Sequence, residues 1–316
     1  MGAVKRNARV VAAPAAADPY ASRVLDRPTI VPRQDPVVYA QDRARGPLTA
    51  EQVDSYERNG FLVLDSLFTP AEIARLQAEL ARLRASPDGI DPQTLILEPG
   101  GRELRSIFQI HRASPLFARL AADARLVSIA SWLLGDRVYV HQSRLNYKPG
   151  FSGKDFYWHS DFETWHVEDG MPCMRALSVS ISLTDNTDLN GPLMLVPGSH
   201  RRYVTCVGET PAEHYKQSLR RQEYGVPDHE SLATLVAEGG IVSSTGPAGT
   251  VTFFDCNVMH GSNSNITPFA RSNAFIVYNA MCNALVEPFG GQAPRPEFIA
   301  ARTHATALEP RTGELI

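Results

Sequence analysis

Apolar positions recur at helical spacing between residues 46 and 136, and from Val138 onward they recur at every second residue. Thr49-Ala-Glu-Gln52 has the capping-box pattern and predicts a helix through Tyr56 that stops near Gly60, with a short apolar strand at Phe61-Leu-Val-Leu64 behind it. Thr69-Pro70-Ala-Glu72 predicts a second, stronger helix whose Ile73, Leu76, Leu80 and Leu83 make one core-facing stripe. A third helix is expected from Ser114 to Leu134, ending at Gly135 and burying Phe117, Leu120, Leu126, Ile129, Trp132 and Leu133.

On the strand that begins at Val138, Val140, Gln142, Arg144, Asn146 and Lys148 share its face, and the last four are polar. The opposite set, Tyr139, His141, Ser143, Leu145 and Tyr147, is not a plain core set, so the polar face is expected to turn into a pocket. Leu177, Val179, Ile181 and Leu183 alternate with Ser178, Ser180, Ser182 and Thr184, which reads as a half-buried strand. Further strands are expected at Leu193–Val196, Gly249–Phe254 and Phe275–Tyr278, with turns at 185–191 and 197–200. The charged, helix-prone stretch from Glu209 to Gly240 is long for a loop in a β body and is expected to act as a lid. The result is an α+β chain: a tail and extended arm over 1–45, where Pro28, Pro32 and Pro36 favour extended backbone, then one domain over 46–316. That domain has a helical front at 46–136 and, at 137–285, a β core of sandwich or jelly-roll type.

Composition narrows the function. With 316 residues and 43% apolar content the chain can bury a large core, and no run approaches the roughly 18 consecutive apolar residues of a membrane helix. Lys5, Arg6 and Arg9 precede an Ala-rich run that Pro14 interrupts, too short for a secretion signal, so a tail on a cytoplasmic protein is expected. Cys173, Cys206, Cys256 and Cys282 form no Cys-x-x-Cys pair, which argues against a zinc knuckle or a disulfide scaffold. The net charge of −3 is spread without long runs and favours neither nucleic acid nor membrane as partner, leaving small-molecule chemistry.

The stretch Phe156-Tyr-Trp-His-Ser-Asp-Phe-Glu-Thr-Trp-His-Val-Glu-Asp-Gly-Met-Pro172 carries the candidate chemistry. His159 and Asp161 are two apart, so on a strand they share one face, half of a two-His, one-carboxylate iron site. The pattern is cheap: nine His and 17 Asp in 316 residues give about half a chance occurrence of His-x-Asp in a chain of ordinary composition. His166-x-Glu168 lies five positions beyond Asp161 and shows that the spacing arises without a metal. What raises His159 and Asp161 above that background is a distal His260 with Arg271 eleven residues after it.

The order of His159-x-Asp161, the Gly191-Pro-Leu-Met-Leu-Val-Pro-Gly-Ser-His200 segment, His260-Gly-Ser262 and Arg271 resembles the phytanoyl-CoA dioxygenase family of iron- and 2-oxoglutarate-dependent oxygenases. Phe156–Pro172 is similar, nearly residue for residue, to the branch of that family that hydroxylates ectoine, and the likeness runs from about Asp18 to the C-terminus. The resemblance implies a double-stranded β-helix with Fe(II) held by His159, Asp161 and His260. It implies that Arg271 pairs with the distal carboxylate of 2-oxoglutarate, for which a planar guanidinium fork is suited. Gln142, Asn146, Lys148, Phe156 and Ser180 are implied around cosubstrate and substrate. The substrate it implies is ectoine, a small cyclic amidine with one carboxylate, hydroxylated with O2 for compatible-solute protection against osmotic and heat stress. Thr164 and Trp165 would line its pocket, an aromatic face suiting a delocalised cation, with Arg295 at its carboxylate and one of Phe253 and Phe254 facing it. His166, Glu168 and Asp169 are read as hydrogen-bonding support for the loop that holds Thr164 and Trp165, or as an outer shell of the iron. His200 is the rival third ligand, ranked below His260 because only His260 is followed by an arginine at the spacing the cosubstrate needs. A sibling oxygenase acting on another small amino or imino acid, or a β-helix binding module without iron, are the other readings, and a homodimer is left open.

Overall fold

The computed structural model describes residues 18–98, 103–211, 213–219 and 224–315, so the tail expected over 1–17 lies outside the described residues. Local chemistry sets the helical front as expected. Thr49 and Thr69 each accept a hydrogen bond at the side chain from the backbone of the third helical residue and donate their own backbone N–H to that residue's side chain, and the helices run Ala50–Asn59 and Pro70–Ala85. Gly60 ends the first with a φ of +81°, and a Cβ there would run into the His200 ring, so only glycine serves. The single helix expected from Ser114 is two, Pro115–Ala121 and Ala124–Leu134, because the Asp123 side chain caps a new start. Apolar periodicity continues through the break and hides it.

Seven antiparallel strands form the larger sheet, in the order Phe61–Leu64, Val251–Asp255, Ala176–Ser182, Arg271–Ala280, Val138–Lys148, Leu104–Phe108 and Leu95–Leu97. Facing it is a four-stranded sheet of Val242–Ser244, Leu193–Leu195, His260–Ser262 and Phe156–His159. Together they make the double-stranded β-helix. Thr29–Pro32 of the arm pairs with Arg202–Thr205 outside it.

The main core lies between the seven-stranded sheet and the helices, where Leu76, Leu80, Phe117, Leu126 and Leu133 meet Leu177, Val179, Ile181, Phe253, Ala274 and Ile276. The other face of this sheet points into the barrel. Every position of Ala176–Ser182 is therefore buried, and the strand is not half-exposed as expected: its serines face a polar interior instead of solvent.

The alternation expected along Val138–Lys148 also breaks. Val277 pairs with Gln142 but Tyr278 with Val140, so His141 is an extra residue, a β-bulge. Val138 and Val140 join Leu145 and Tyr147 in the main core, while Gln142, Arg144, Asn146 and Lys148 keep the interior face. The 209–240 stretch divides as well. His229–Gly239 packs Leu235, with Leu232 and Val236, against Val196, Val204 and Met259 on the outside of the barrel, whereas His214, Leu219 and Tyr224 line the interior cavity.

Leu76 is fully buried in the main core. Leu76→Ala should lower unfolding stability by about 2–5 kcal/mol, read as a lower denaturant midpoint at unchanged slope.

Candidate active site

Two strands of the smaller sheet bring the histidines together. His260 sits directly opposite His159 in the antiparallel register, and their rings lie 4.3 Å apart between centroids. The strand ends at His159; Asp161 opens a helical turn, Asp161–Thr164, so it is not the strand residue the spacing suggested. Ser160 keeps extended backbone (φ −105°, ψ 131°) and still delivers the carboxylate to the same side. One ligand atom from each of His159, Asp161 and His260 falls within 4.8 Å of the others.

The donor set fits a divalent iron ion. Each imidazole donates its Nδ1–H to a backbone carbonyl two residues back, His159 to Tyr157 at 2.7 Å and His260 to Val258 at 3.0 Å. This fixes the tautomer and turns both Nε2 atoms toward the Asp161 carboxylate, at 3.8 and 3.9 Å. Burial, with His260 close by, pushes His159 down to about 3, so the ring is neutral and its lone pair available. Ser178 donates to Asp161 at 3.2 Å and steadies the carboxylate. His200 is elsewhere: its Nε2 faces the Glu57 carbonyl at 3.1 Å, and it is not in the cluster.

The cluster stands between two lobes of cavity that share Arg144, Phe156 and His159. One lobe is lined by Asp161, Gln142, Thr164, Trp165, Glu168 and Arg295. The other is lined by His260, Asn146, Ser262, Arg271, Leu193 and Phe275. Arg271 is buried there and its Nε has no hydrogen-bond partner among the described residues. Burial, and then Arg105 nearby, lowers its guanidinium to about 10. Beside it, burial, then Arg271 and Arg105, pushes Lys148 down to about 6. This lobe carries uncompensated positive charge, the condition an anionic ligand relieves.

Lys148 does not line either lobe. It is buried at the end of its strand, donating to Ser262 Oγ at 2.8 Å and the Asn263 carbonyl at 2.5 Å. Ser180 accepts from Asn273 at 2.9 Å on the interior face, also off the cavity walls. Gln142 donates to the Ile299 carbonyl at 2.8 Å and Asn146 accepts from Ser106 at 2.7 Å, both at the walls. The phenylalanine pair separates: Phe253 belongs to the main core, while Phe254 lies inside the barrel with its ring 5.1 Å from that of His260.

Arg295 reaches the first lobe with its fork already engaged. Nε and Nη2 bond both oxygens of Asp169 at 2.7 and 2.6 Å, so Asp169 orients this arginine as well as its own loop. Burial opposes the charge on Arg295, but Asp169 and then Glu168 outweigh it and hold the guanidinium firmly protonated. Trp165 is buried against the edge of His141, 5.1 Å away. His166 Nε2 lies 3.1 Å from the Asp18 carboxylate, its Nδ1 faces the Met171 carbonyl at 2.8 Å, and its ring stacks on Phe289.

The sequence put Arg144 on the pocket-facing side of its strand without a role, and gave none to Ser178 or Arg105. The polar alternation of its strand was the available signal for Ser178. Arg105 stacks over Phe156 at 3.8 Å and pairs with Glu98 at 2.9 Å; nothing local in the sequence marks it.

The family model for phytanoyl-CoA dioxygenase matches residues 56–273. The ectoine dioxygenase of Sphingopyxis alaskensis is 57% identical over 299 residues, 95% of this chain and 98% of that protein. A crystal structure of EctD from S. alaskensis with 2-oxoglutarate and 5-hydroxyectoine is similar at a TM-score of 0.87 and 53% identity, over 95% of this chain and all of that one. A second, with bound Fe, is similar at a TM-score of 0.86 and 52% identity, over the same shares.

Asp161→Asn should abolish stoichiometric Fe(II) binding in titration calorimetry while leaving the circular dichroism spectrum unchanged. Unaltered affinity would place the iron elsewhere.

Proposed function

The chain belongs to the phytanoyl-CoA dioxygenase family, and on that premise we propose that it hydroxylates ectoine to 5-hydroxyectoine, using Fe(II), O2 and 2-oxoglutarate and releasing succinate and CO2. The observation that carries this reading is the pair of lobes meeting at the His159, Asp161, His260 cluster, one lined by Arg271, whose Nε has no partner among the described residues, and the other walled by tryptophan. Full-length identity of 57% to an ectoine dioxygenase supports the substrate.

Bound at the cluster, Fe(II) supplies the coupling of O2 reduction to oxidative decarboxylation of 2-oxoglutarate and oxygen transfer to a ring carbon. The residues do the rest. Arg271 receives the distal carboxylate of 2-oxoglutarate in its planar fork, and the dianion offsets the burial, and then the neighbouring positive charge, that lower Arg271 and Lys148. Lys148 acts from behind, holding Ser262 and the Asn263 backbone against that lobe. Asn146 and Phe156 close the cosubstrate lobe.

In the other lobe Trp165 offers its face to the amidinium and excludes water, with Thr164 and Gln142 as polar contacts. Arg295 meets the substrate carboxylate with Nη1, the nitrogen that Asp169 leaves unengaged. Opposite ends of the substrate are thereby held, and one ring carbon is turned toward the cluster. Ser180 steadies Asn273 on the barrel wall, and Phe254 packs beside His260. The reaction makes a compatible solute, consistent with work in the cytoplasm under osmotic or heat stress.

The test is product analysis with Fe(II), 2-oxoglutarate, O2 and ectoine, in which one added oxygen at a single ring position should match succinate mole for mole. Succinate without a hydroxylated ring would retain the oxygenase and reject this substrate. Trp165→Ala should raise the KM for ectoine about tenfold or more and leave that for 2-oxoglutarate within about twofold, because only the amidinium loses its aromatic face.

A further inference from the structure

We propose that Arg23, in the N-terminal arm, is a positioning residue of the substrate lobe: its guanidinium fixes Glu163 and Glu168, and through them the Thr164–Trp165 wall and Arg295. The proposal rests on the functional reading above and adds to it a residue far from the signature in sequence.

The Arg23 side chain is 3% exposed, and every hydrogen-bonded nitrogen of its fork is directed at this wall. Nε and Nη2 bond the two oxygens of Glu163 at 3.0 and 2.7 Å. Nη1 bonds Glu168 at 2.7 Å and Thr210 Oγ1 at 2.6 Å. Ser22, the preceding residue, donates to Glu163 at 2.6 Å. Burial opposes the charge on Arg23, but the attraction of Glu163 and then Glu168 outweighs it and keeps the guanidinium protonated.

Each partner leads to the lobe. Glu163 immediately precedes Thr164, so clamping its carboxylate fixes the start of the wall. Glu168 lines the lobe itself and stands 3.8 Å from Arg295, whose fork is closed by Asp169. Thr210 lines an outer cavity that shares Glu168, His214 and Arg295 with the lobe, at its approach from outside. Gly225 closes over the ion pair from another side: its φ is +68°, and a Cβ there would meet the Arg23 guanidinium, the Glu163 carboxylate and the Thr164 hydroxyl. Three separate segments converge on one guanidinium.

The backbone adds an independent sign. Arg23 holds a φ of +61°, a conformation that costs a non-glycine residue about 1 kcal/mol or more. Such strain persists only where the surroundings over-determine it, and here its N–H donates to the Cys206 carbonyl at 2.9 Å while its side chain is pinned at four points. The arm is bent to deliver this one side chain.

Arg23→Lys keeps the charge and removes the fork. The KM for ectoine should rise about tenfold, a loss of about 1.4 kcal/mol, with the KM for 2-oxoglutarate and the Fe(II) content within about twofold of the parent. Amide hydrogen exchange should accelerate across 161–169 and stay unchanged in the Val251–Asp255 and Arg271–Ala280 strands. An equal rise in both KM values, exchange accelerating across the sheets too, or no change in either measure would overturn the proposal. Should the lysine variant fail to fold, Ser22→Ala removes the neighbouring hydrogen bond to Glu163 outside the lobe and should shift ectoine KM and the 161–169 amides in the same direction by less. If the parent protein makes no hydroxyectoine, the substrate reading fails, while the exchange comparison still decides the role of Arg23.

Discussion

Everything at the site depends on one cross-strand pair. Antiparallel pairing of Phe156–His159 with His260–Ser262 sets His159 against His260, and residues directly opposite in such a ladder must share a face. Each ring is then locked by a hydrogen bond to the carbonyl two residues behind it. With both Nε2 atoms aimed one way, a single carboxylate at the strand end completes the metal face, and the remaining directions open into the two lobes.

A barrel lined in this way must bury polar and charged groups, and each of them needs a partner. The serines of Ala176–Ser182, with Gln142 and Asn146, find theirs within the protein or at the cavity walls. Arg271 and Arg144 each have an Nε unmatched among the described residues, and burial holds both charges at a cost. An unmatched cation in a buried lobe stores binding energy for an anion, so the Arg271 lobe stands out as an electrostatic deficit before any ligand is considered.

The lobe walled by Trp165 adds pairs matched in advance to the Arg144 it shares: Asp169 holds Arg295 at its wall, and Glu163 and Glu168 hold Arg23 behind it. Pre-paired ions cannot collapse into an empty pocket, so the wall keeps its shape without the ligand. The N-terminal arm, whose Thr29–Pro32 strand pairs with Arg202–Thr205, thereby becomes part of the site.

Local chemistry alone determined much of this protein. Capping boxes at Thr49 and Thr69, left-handed stops at Gly60 and Gly135, the stripe on Pro70–Ala85 and the alternation of Ala176–Ser182 are short-range effects, legible in any window of a dozen residues. His159, Asp161, His260 and Arg271 were legible too, once their order resembled a family. Tertiary structure alone decided which polar strand faces are interior, since alternation reads the same against water or a lined cavity. It inserted His141 as a bulge and so moved Val138 and Val140 to the opposite face, a shift that depends on the partner strand. It put Phe253 in the main core and Phe254 inside the barrel, engaged the Arg295 fork with Asp169, and brought Arg23 140 residues back onto Glu163. Contacts across such separations are set by how sheets and arm pack, and no local pattern encodes them.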